Sequence, residues 1–371
     1  MIIPSILKTL FPIETSSIFF NCKVSATLFS THRYPDGGLP LCLIGDPSKS
    51  TIINSIIKEL RYSNKYPDGD SEILKSAIAK NFKIKKNQIV CGNGSDDILS
   101  LICLAFSRED SEVICSNNGF LFYPIITYSS GAKPIYAETE NFSISIKNIK
   151  EKISKKTKII FFANPNNPTG SIILKKELVK ALKEIPKNII VVIDGAYAEY
   201  VIDKEFSDGL DLVKKFPNLI ITRTFSKIYA LAAFRVGWGY SSPEIIQILE
   251  KIRGPFNVNL VAQLAASKIL KEEKFINKSI KHNIKYKNLI EKELKEMGFL
   301  VFKGHGNFLL VKNSLEIIST KQILRYLEKK NIYVRSLRAY NLPECFRVSV
   351  GKRKENILFL KEIKKLLKRS C

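Results

Sequence analysis

The chain has 371 residues, 45% apolar and 25% charged, enough for one large domain and a smaller one, each with its own core. Its 59 basic residues against 35 acidic ones give a formal net charge of +24, yet the lysines fall in short groups such as KIKKN, SKKTK and KEIKKLLKR, often mixed with glutamate on helical periods. With no stripe of Arg interleaved with aromatics, this charge reads as solvated helix faces whose field favours anionic, phosphorylated ligands; a nucleic-acid or membrane partner is not expected.

Residues 1 to about 50 read as irregular, with possible short strands in SSIFF and LCLIG. GDPSKST, Gly45–Thr51, lacks the Gly immediately before Lys that a phosphate loop needs, so it reads as a turn capping a helix over about 51–61. KYPDGD, Lys65–Asp70, is turn chemistry, with an Asp/Ser pair capping the next helix. From there the chain alternates. SEILKSAIAKNF reads as a helix, QIVCG as a strand and SDDILSLICLAF as a helix. EVICS reads as a strand, a helix is expected near FLFYPIITYSS, and KPIYA reads as a strand. KIIFFAN, NIIVVID and NLIITRT read as strands, with LKKELVKALKEI as a helix after the first. Short apolar β-rich runs separated by amphipathic helices predict an α/β body with a mostly parallel, buried sheet, running to about Leu270. A long helical stretch near 259–297 follows, then strands NFLLV, IYVRS and CFRVSV and helices TKQILRYLEKK and ENILFLKEIKKLLK, the pattern of a smaller α+β domain. The expected organisation is therefore an N-terminal segment over 1–60 packing with the small domain, a large domain over 61–270 and a small one over 271–371.

Seven scattered cysteines with no C-x-x-C pair fit a reducing compartment with inert thiols. His32, His282 and His305 show no metal-ligand spacing, so no metal is expected. The start has neither a basic n-region nor a cleavage site, and no run approaches 18 apolar residues, so a soluble cytoplasmic protein is the expectation.

Ligands of doubly wound sheets sit beyond the C-terminal ends of strands, and four motifs fall there. CGNGSDD, Cys91–Asp97, puts a tight turn before a helix, so the N–H groups of Gly94, Ser95 and Asp96 make either an anion site or a plain cap. ANPNNPTG, Ala163–Gly170, is an ordered turn that is either structural or presents an Asn to a ligand oxygen. VVIDGAYAEY, Val191–Tyr200, ends a buried strand on Asp194, a costly carboxylate unless it caps a helix or pairs with a cation, a metal or a protonated ligand nitrogen. Tyr197 lies three residues on. RTFSKIYALAAFRVG, Arg223–Gly237, carries Lys227 among hydroxyls and small residues, with Arg235 eight positions later; a partly desolvated lysine can attack a carbonyl to form a Schiff base. An amine, a buried carboxylate, an Asn/Tyr pair and an anion cradle together meet the needs of pyridoxal 5'-phosphate.

The ordered set YPDGD, GNGSDD, NPNNPTG, DGAYAEY, TFSK and FRVGW resembles the fold-type I pyridoxal-phosphate aminotransferases, and within them is most similar to the histidinol-phosphate aminotransferases. The resemblance covers about Tyr66 to the C-terminus, with D-G-A-Y where the family usually has D-E-A-Y. It implies that Lys227 binds the cofactor aldehyde and moves the Cα proton, that Asp194 pairs with the pyridine nitrogen, and that Asn164 and Tyr197 bond the phenolic oxygen. Phe120 would stack on the ring, while Gly94, Ser95, Asp96, Thr224, Ser226 and Arg235 hold the phosphate. Tyr66 would reach the neighbouring site of a homodimer, Arg347 would grip the substrate carboxylate, and Arg335 would lie near a substrate phosphate. The implied reaction moves an amino group between L-histidinol phosphate or imidazole-acetol phosphate and glutamate or 2-oxoglutarate, in histidine biosynthesis. An aromatic amino-acid aminotransferase or an amino-acid-phosphate decarboxylase on the same fold is the alternative.

Overall fold

The computed structural model describes Ile57 and residues 60–370. The strands and turn expected within residues 1–50, most of the 51–61 helix and the packing of the N-terminal segment lie outside the described residues. In chain order the first elements are α1 (Glu72–Phe82), β1 (Ile89–Gly92), α2 (Ser95–Phe106), β2 (Glu112–Ser116), α3 (Phe122–Ser129), β3 (Lys133–Ala137), α4 (Ile146–Glu151), β4 (Thr157–Ala163), α5 (Lys175–Glu184), β5 (Ile190–Asp194) and β6 (Leu219–Thr224). β7 (Gly237–Tyr240), α6 (Pro243–Ile252) and α7 (Leu260–Ile269) complete the first half. The cap of α1 differs from expectation: the carboxylate of Asp68, not Ser71, accepts from the N–H of Glu72 at 2.7 Å.

Seven strands form one sheet in the order β1-β7-β6-β5-β4-β2-β3. β3, β2, β4, β5 and β6 run parallel, and β7 is antiparallel to both β6 and β1. Both faces are covered, so alternate residues of one strand enter different cores: Ile160 and Phe162 join one cluster, Ile159 and Phe161 the other. After β3 the chain returns to the far side of β2 and then fills the sheet the other way, so a topological switch point lies between β2 and β4. β7 was not expected, because GWGY is short and glycine-rich. Its glycine is required: a Cβ on Gly237 would lie 2.4 Å from the backbone N of Ser95, where β7 crosses the start of α2.

The expected long helical stretch is two helices, α7 and α8 (Glu273–Glu296), broken at 270–272. The two halves serve different cores. α7 buries Ala262, Ala265, Ala266 and Ile269 with the large sheet, whereas α8 buries Tyr286, Ile290 and Leu294 with a second cluster. The remaining elements are β8 (Leu300–Phe302), β9 (Phe308–Lys312), α9 (Thr320–Lys329), β10 (Arg335–Ser336), β11 (Cys345–Ser349) and α10 (Arg353–Ser370). Their strands form an antiparallel sheet in the order β10-β11-β9-β8. Ser319 begins α9 with a capping box, accepting from Gln322 N–H while the Gln322 side chain accepts from Ser319 N–H.

The four cysteines among the described residues, Cys91, Cys103, Cys115 and Cys345, are free and buried, and burial pushes each thiol up to about 12. They are therefore packing groups rather than nucleophiles. No helix among the described residues is long and apolar enough to cross a membrane.

Candidate active site

The C-terminal ends of β4, β5 and β6 and the start of α2 open onto one cleft that is continuous with solvent. Ser95, Asp96, Phe120, Asp194, Tyr197, Thr224, Ser226, Lys227 and Arg235, widely separated in the chain, line it together.

One end is built for an anion. Ser95 and Asp96 are the first residues of α2, where N–H groups have no partner within the helix. Gly94 plays a different part from the one expected: its own N–H donates to Gly92 O at 2.8 Å, so it is not an anion donor. It supplies space instead. At φ 86° it takes a left-handed conformation, and a Cβ there would lie 2.6 Å from Arg235 Nη2. Arg235, itself at φ 53°, donates from Nη1 to Ser226 Oγ and to Ala232 O, each at 3.1 Å, and its Nη2 meets Asp96 Oδ2 at 3.4 Å. Burial raises the Asp96 carboxyl, while Arg235 and Lys227 pull it back down. Thr224 Oγ1 accepts from Ser226 N–H at 3.1 Å and so shapes the turn that presents Lys227.

At the centre, Asp194 ends β5 and is 5% exposed. Its Oδ1 accepts from Ala196 N–H at 3.2 Å and Thr222 Oγ1 at 3.3 Å, and its Oδ2 from the Tyr123 hydroxyl at 2.9 Å. Burial pushes its carboxyl from an ordinary 3.8 up to about 6, against the opposing pull of these donors. Lys227 Nζ stands 5.2 Å from the centre of the Tyr197 ring, which meets Phe308 edge-on at 5.0 Å. Phe120 packs edge-on against Tyr123 at 5.6 Å.

Arg335 and Arg347 face each other across β10 and β11 and do not themselves line the cleft; Arg347 adjoins it through Asn167, which does. Two like charges in register repel, an arrangement that an anion between or beside them relieves. Arg347 lies over the Phe308 ring at 5.0 Å and donates from Nη1 to Asn167 Oδ1, while its buried Nε has no hydrogen-bond partner.

Asn164 is a correction. It is fully buried, and both ends of its amide bind the backbone of Ile173, Oδ1 accepting from N–H at 2.8 Å and Nδ2 donating to O at 3.2 Å. It closes the NPNNPTG turn and does not line the cleft; Asn167 does. The resemblance had implied the asparagine next to the strand; that one is spent on the backbone of Ile173, and the later one lines the cleft. Tyr123 was missed as well, since nothing in FLFYPIITYSS separates it from core aromatics. Tyr66 stands apart from the cleft, 82% exposed and stacked on Phe256 at 4.5 Å.

Comparison with known proteins agrees with this geometry. Residues 45–363 match the family model described as aminotransferase class I and II. A histidinol-phosphate aminotransferase of Pelagibacter ubique (strain HTCC1062) is 43% identical over 302 residues, 81% of this chain and 84% of that protein. One of Rhodopseudomonas palustris (strain BisB5) is 35% identical over 81% of this chain and 83% of that protein. Among solved structures, the histidinol-phosphate aminotransferase of Clostridium acetobutylicum has a TM-score of 0.82 at 26% identity, covering 90% of this chain and 99% of that one. The Sinorhizobium meliloti enzyme, solved in complex with pyridoxal-5'-phosphate, has the same TM-score of 0.82 at 23% identity, covering 89% of this chain and 90% of that one, a likeness of fold. The family match over residues 45–363, together with relatives 43% and 35% identical over most of their length, shows that the chain belongs to the aminotransferase class I and II family.

Proposed function

We propose that the protein is a pyridoxal-phosphate-dependent transaminase that moves an amino group between L-histidinol phosphate and 2-oxoglutarate, or from glutamate to imidazole-acetol phosphate in the biosynthetic direction. The observation that carries this reading is the meeting, in one cleft, of Lys227 and buried Asp194 with an anion cradle and with Asn167, which holds Arg347 beside the cleft, Arg335 standing opposite Arg347 in register. The residues suit the cofactor. Asp194 accepts only neutral donors among its described hydrogen bonds, so a protonated ring nitrogen would supply the missing positive partner. The α2 N-terminus, Ser226, Thr224 and Arg235 would hold its phosphate, Tyr197 and Asn167 its phenolic side, and Phe120 its ring face.

When bound, the cofactor supplies an aldehyde for the amino group and an electron sink for the Cα carbanion. The chain supplies the rest. Lys227 would hold the cofactor aldehyde and, from Nζ, would take and return the proton at the substrate Cα. Asp194 would keep a negative charge against the ring nitrogen. Arg347, on its Phe308 and Asn167 supports, orients the carboxylate of the acid substrates. Arg335 reads the phosphate of the other substrate. We further propose a division into an N-terminal segment over 1–60, a cofactor-holding unit over 61–270 and a small unit over 271–371, a cytoplasmic location, and a homodimer in which exposed Tyr66 reaches the neighbouring cleft.

Coupled assay of histidinol phosphate, phenylalanine and aspartate as amino donors to 2-oxoglutarate tests the substrate. The reading predicts the highest kcat/KM for histidinol phosphate, by a factor of ten or more on the order expected for one charge-assisted contact. A preference for phenylalanine would refute it.

A further inference from the structure

We infer that Tyr123 is a positioning residue of this site: its hydroxyl fixes the orientation of the Asp194 carboxylate and keeps that carboxylate ionised for the cofactor. The inference rests on the reading proposed above, because it gives Asp194 a cationic partner.

The Tyr123 ring is held on two sides. It stacks on Phe161 with centroids 4.5 Å apart and planes 4° from parallel, and it meets Phe120 edge-on. The side chain is 1% exposed, so its hydroxyl is confined, and it points at Asp194 Oδ2 from 2.9 Å. This is the shortest of the three hydrogen bonds to the carboxylate; the other two both reach Oδ1. Burial, and then the charge of Asp194, push the Tyr123 hydroxyl far above its ordinary range. It therefore stays protonated at every working pH and can only donate to an ionised Asp194. Without it, Oδ2 would lose its one described hydrogen-bond donor, and the buried acid would take up a proton more readily. A neutral acid is a poor partner for a ring nitrogen that must remain protonated.

The other charged groups around Asp194 do not replace this contact. Asp96 on α2 disfavours its charge, and Arg223 on β6 senses it from a position occupied by its own bridge to Asp208 at 3.0 Å. Lys227 and Arg235 line the same cleft, with Arg235 engaged by Ser226 and Asp96.

The test is Tyr123→Phe in the full-length chain, which keeps the stacked ring and removes one oxygen. Binding of pyridoxamine phosphate is measured by fluorescence from pH 5.5 to 8.5. This form cannot bond covalently to Lys227, so it reports ring and phosphate contacts alone. Affinity should fall about ten- to hundredfold at neutral pH, the scale of one hydrogen bond to a charged group. The midpoint at which acidification weakens binding should also move up from near the wild-type Asp194 value of about 6. Carbon NMR of the Asp194 carboxyl in cofactor-free protein should show the same upward movement. Equal affinities, or a loss that is uniform in pH with an unmoved carboxyl midpoint, would reduce Tyr123 to packing and overturn the inference. If the wild-type protein binds neither pyridoxal nor pyridoxamine phosphate, the proposed function fails instead.

Discussion

Replacing Asp194 by Asn should stabilise the cofactor-free protein while weakening its hold on the cofactor. Burial raises the Asp194 carboxyl from 3.8 to about 6, roughly two pH units. At ~1.4 kcal/mol per unit, the ionised side chain costs the unliganded fold about 3 kcal/mol above pH 7. The amide removes that cost but leaves the Tyr123 hydroxyl poorly matched, a loss of about 1 kcal/mol. The net gain is about 2 kcal/mol, a rise of roughly 2–4 °C in Tm for a chain of this length. The sign follows from linkage. The folded pKa of this acid is raised, so the penalty is absent below the unfolded value of 3.8, develops as pH rises, and is complete above about 6. The advantage of Asp194→Asn should thus be largest at pH 8 and fall by more than half near pH 5. Thermal unfolding of both cofactor-free proteins across that range measures it. A variant less stable than wild type at pH 8, or a difference flat in pH, would refute the reasoning.

Other substitutions separate structure from chemistry. Asn164→Ala removes both amide contacts to Ile173 and should cost about 2–3 kcal/mol of stability in denaturant unfolding. Asn167→Ala should leave stability within about 0.5 kcal/mol and instead raise the KM for 2-oxoglutarate, because Arg347 loses its Asn167 support. Gly94→Ala places a methyl 2.6 Å from Arg235 Nη2 on a left-handed residue, and should weaken pyridoxal phosphate binding by about tenfold or more in a fluorescence titration. Arg335→Gln should raise the KM for histidinol phosphate by about tenfold or more and leave that for glutamate within a factor of about three, read from initial rates.

Much of the fold was legible because its signals are local. The strands KPIYA and EVICS and the helix SDDILSLICLAF carry continuous apolar runs or clean turns, and their observed bounds match the expected ones. β7 was hidden because its place depends on glycines that let it approach α2, a tertiary reason with no periodicity. The α7–α8 break was hidden because it marks a change of core, not a proline or glycine. At the site, Lys227, Asp194 and Arg235 could be read as strand-end motifs. Which asparagine faces the cleft could not, since it turns on the path of the chain between Asn164 and Gly170. Tyr123 is visible only through its distance to Asp194.

The most direct test of the central claim is the visible absorption spectrum of the protein reconstituted with pyridoxal phosphate, before and after histidinol phosphate, followed by borohydride and peptide mass mapping. The account predicts a visible band that borohydride bleaches, fixing the cofactor mass on the peptide that contains Lys227. It also predicts that histidinol phosphate, added first, converts the band to that of the pyridoxamine form and protects Lys227 from labelling. A band unaffected by histidinol phosphate would contradict the substrate assignment, and no label on Lys227 would contradict the chemistry of the site.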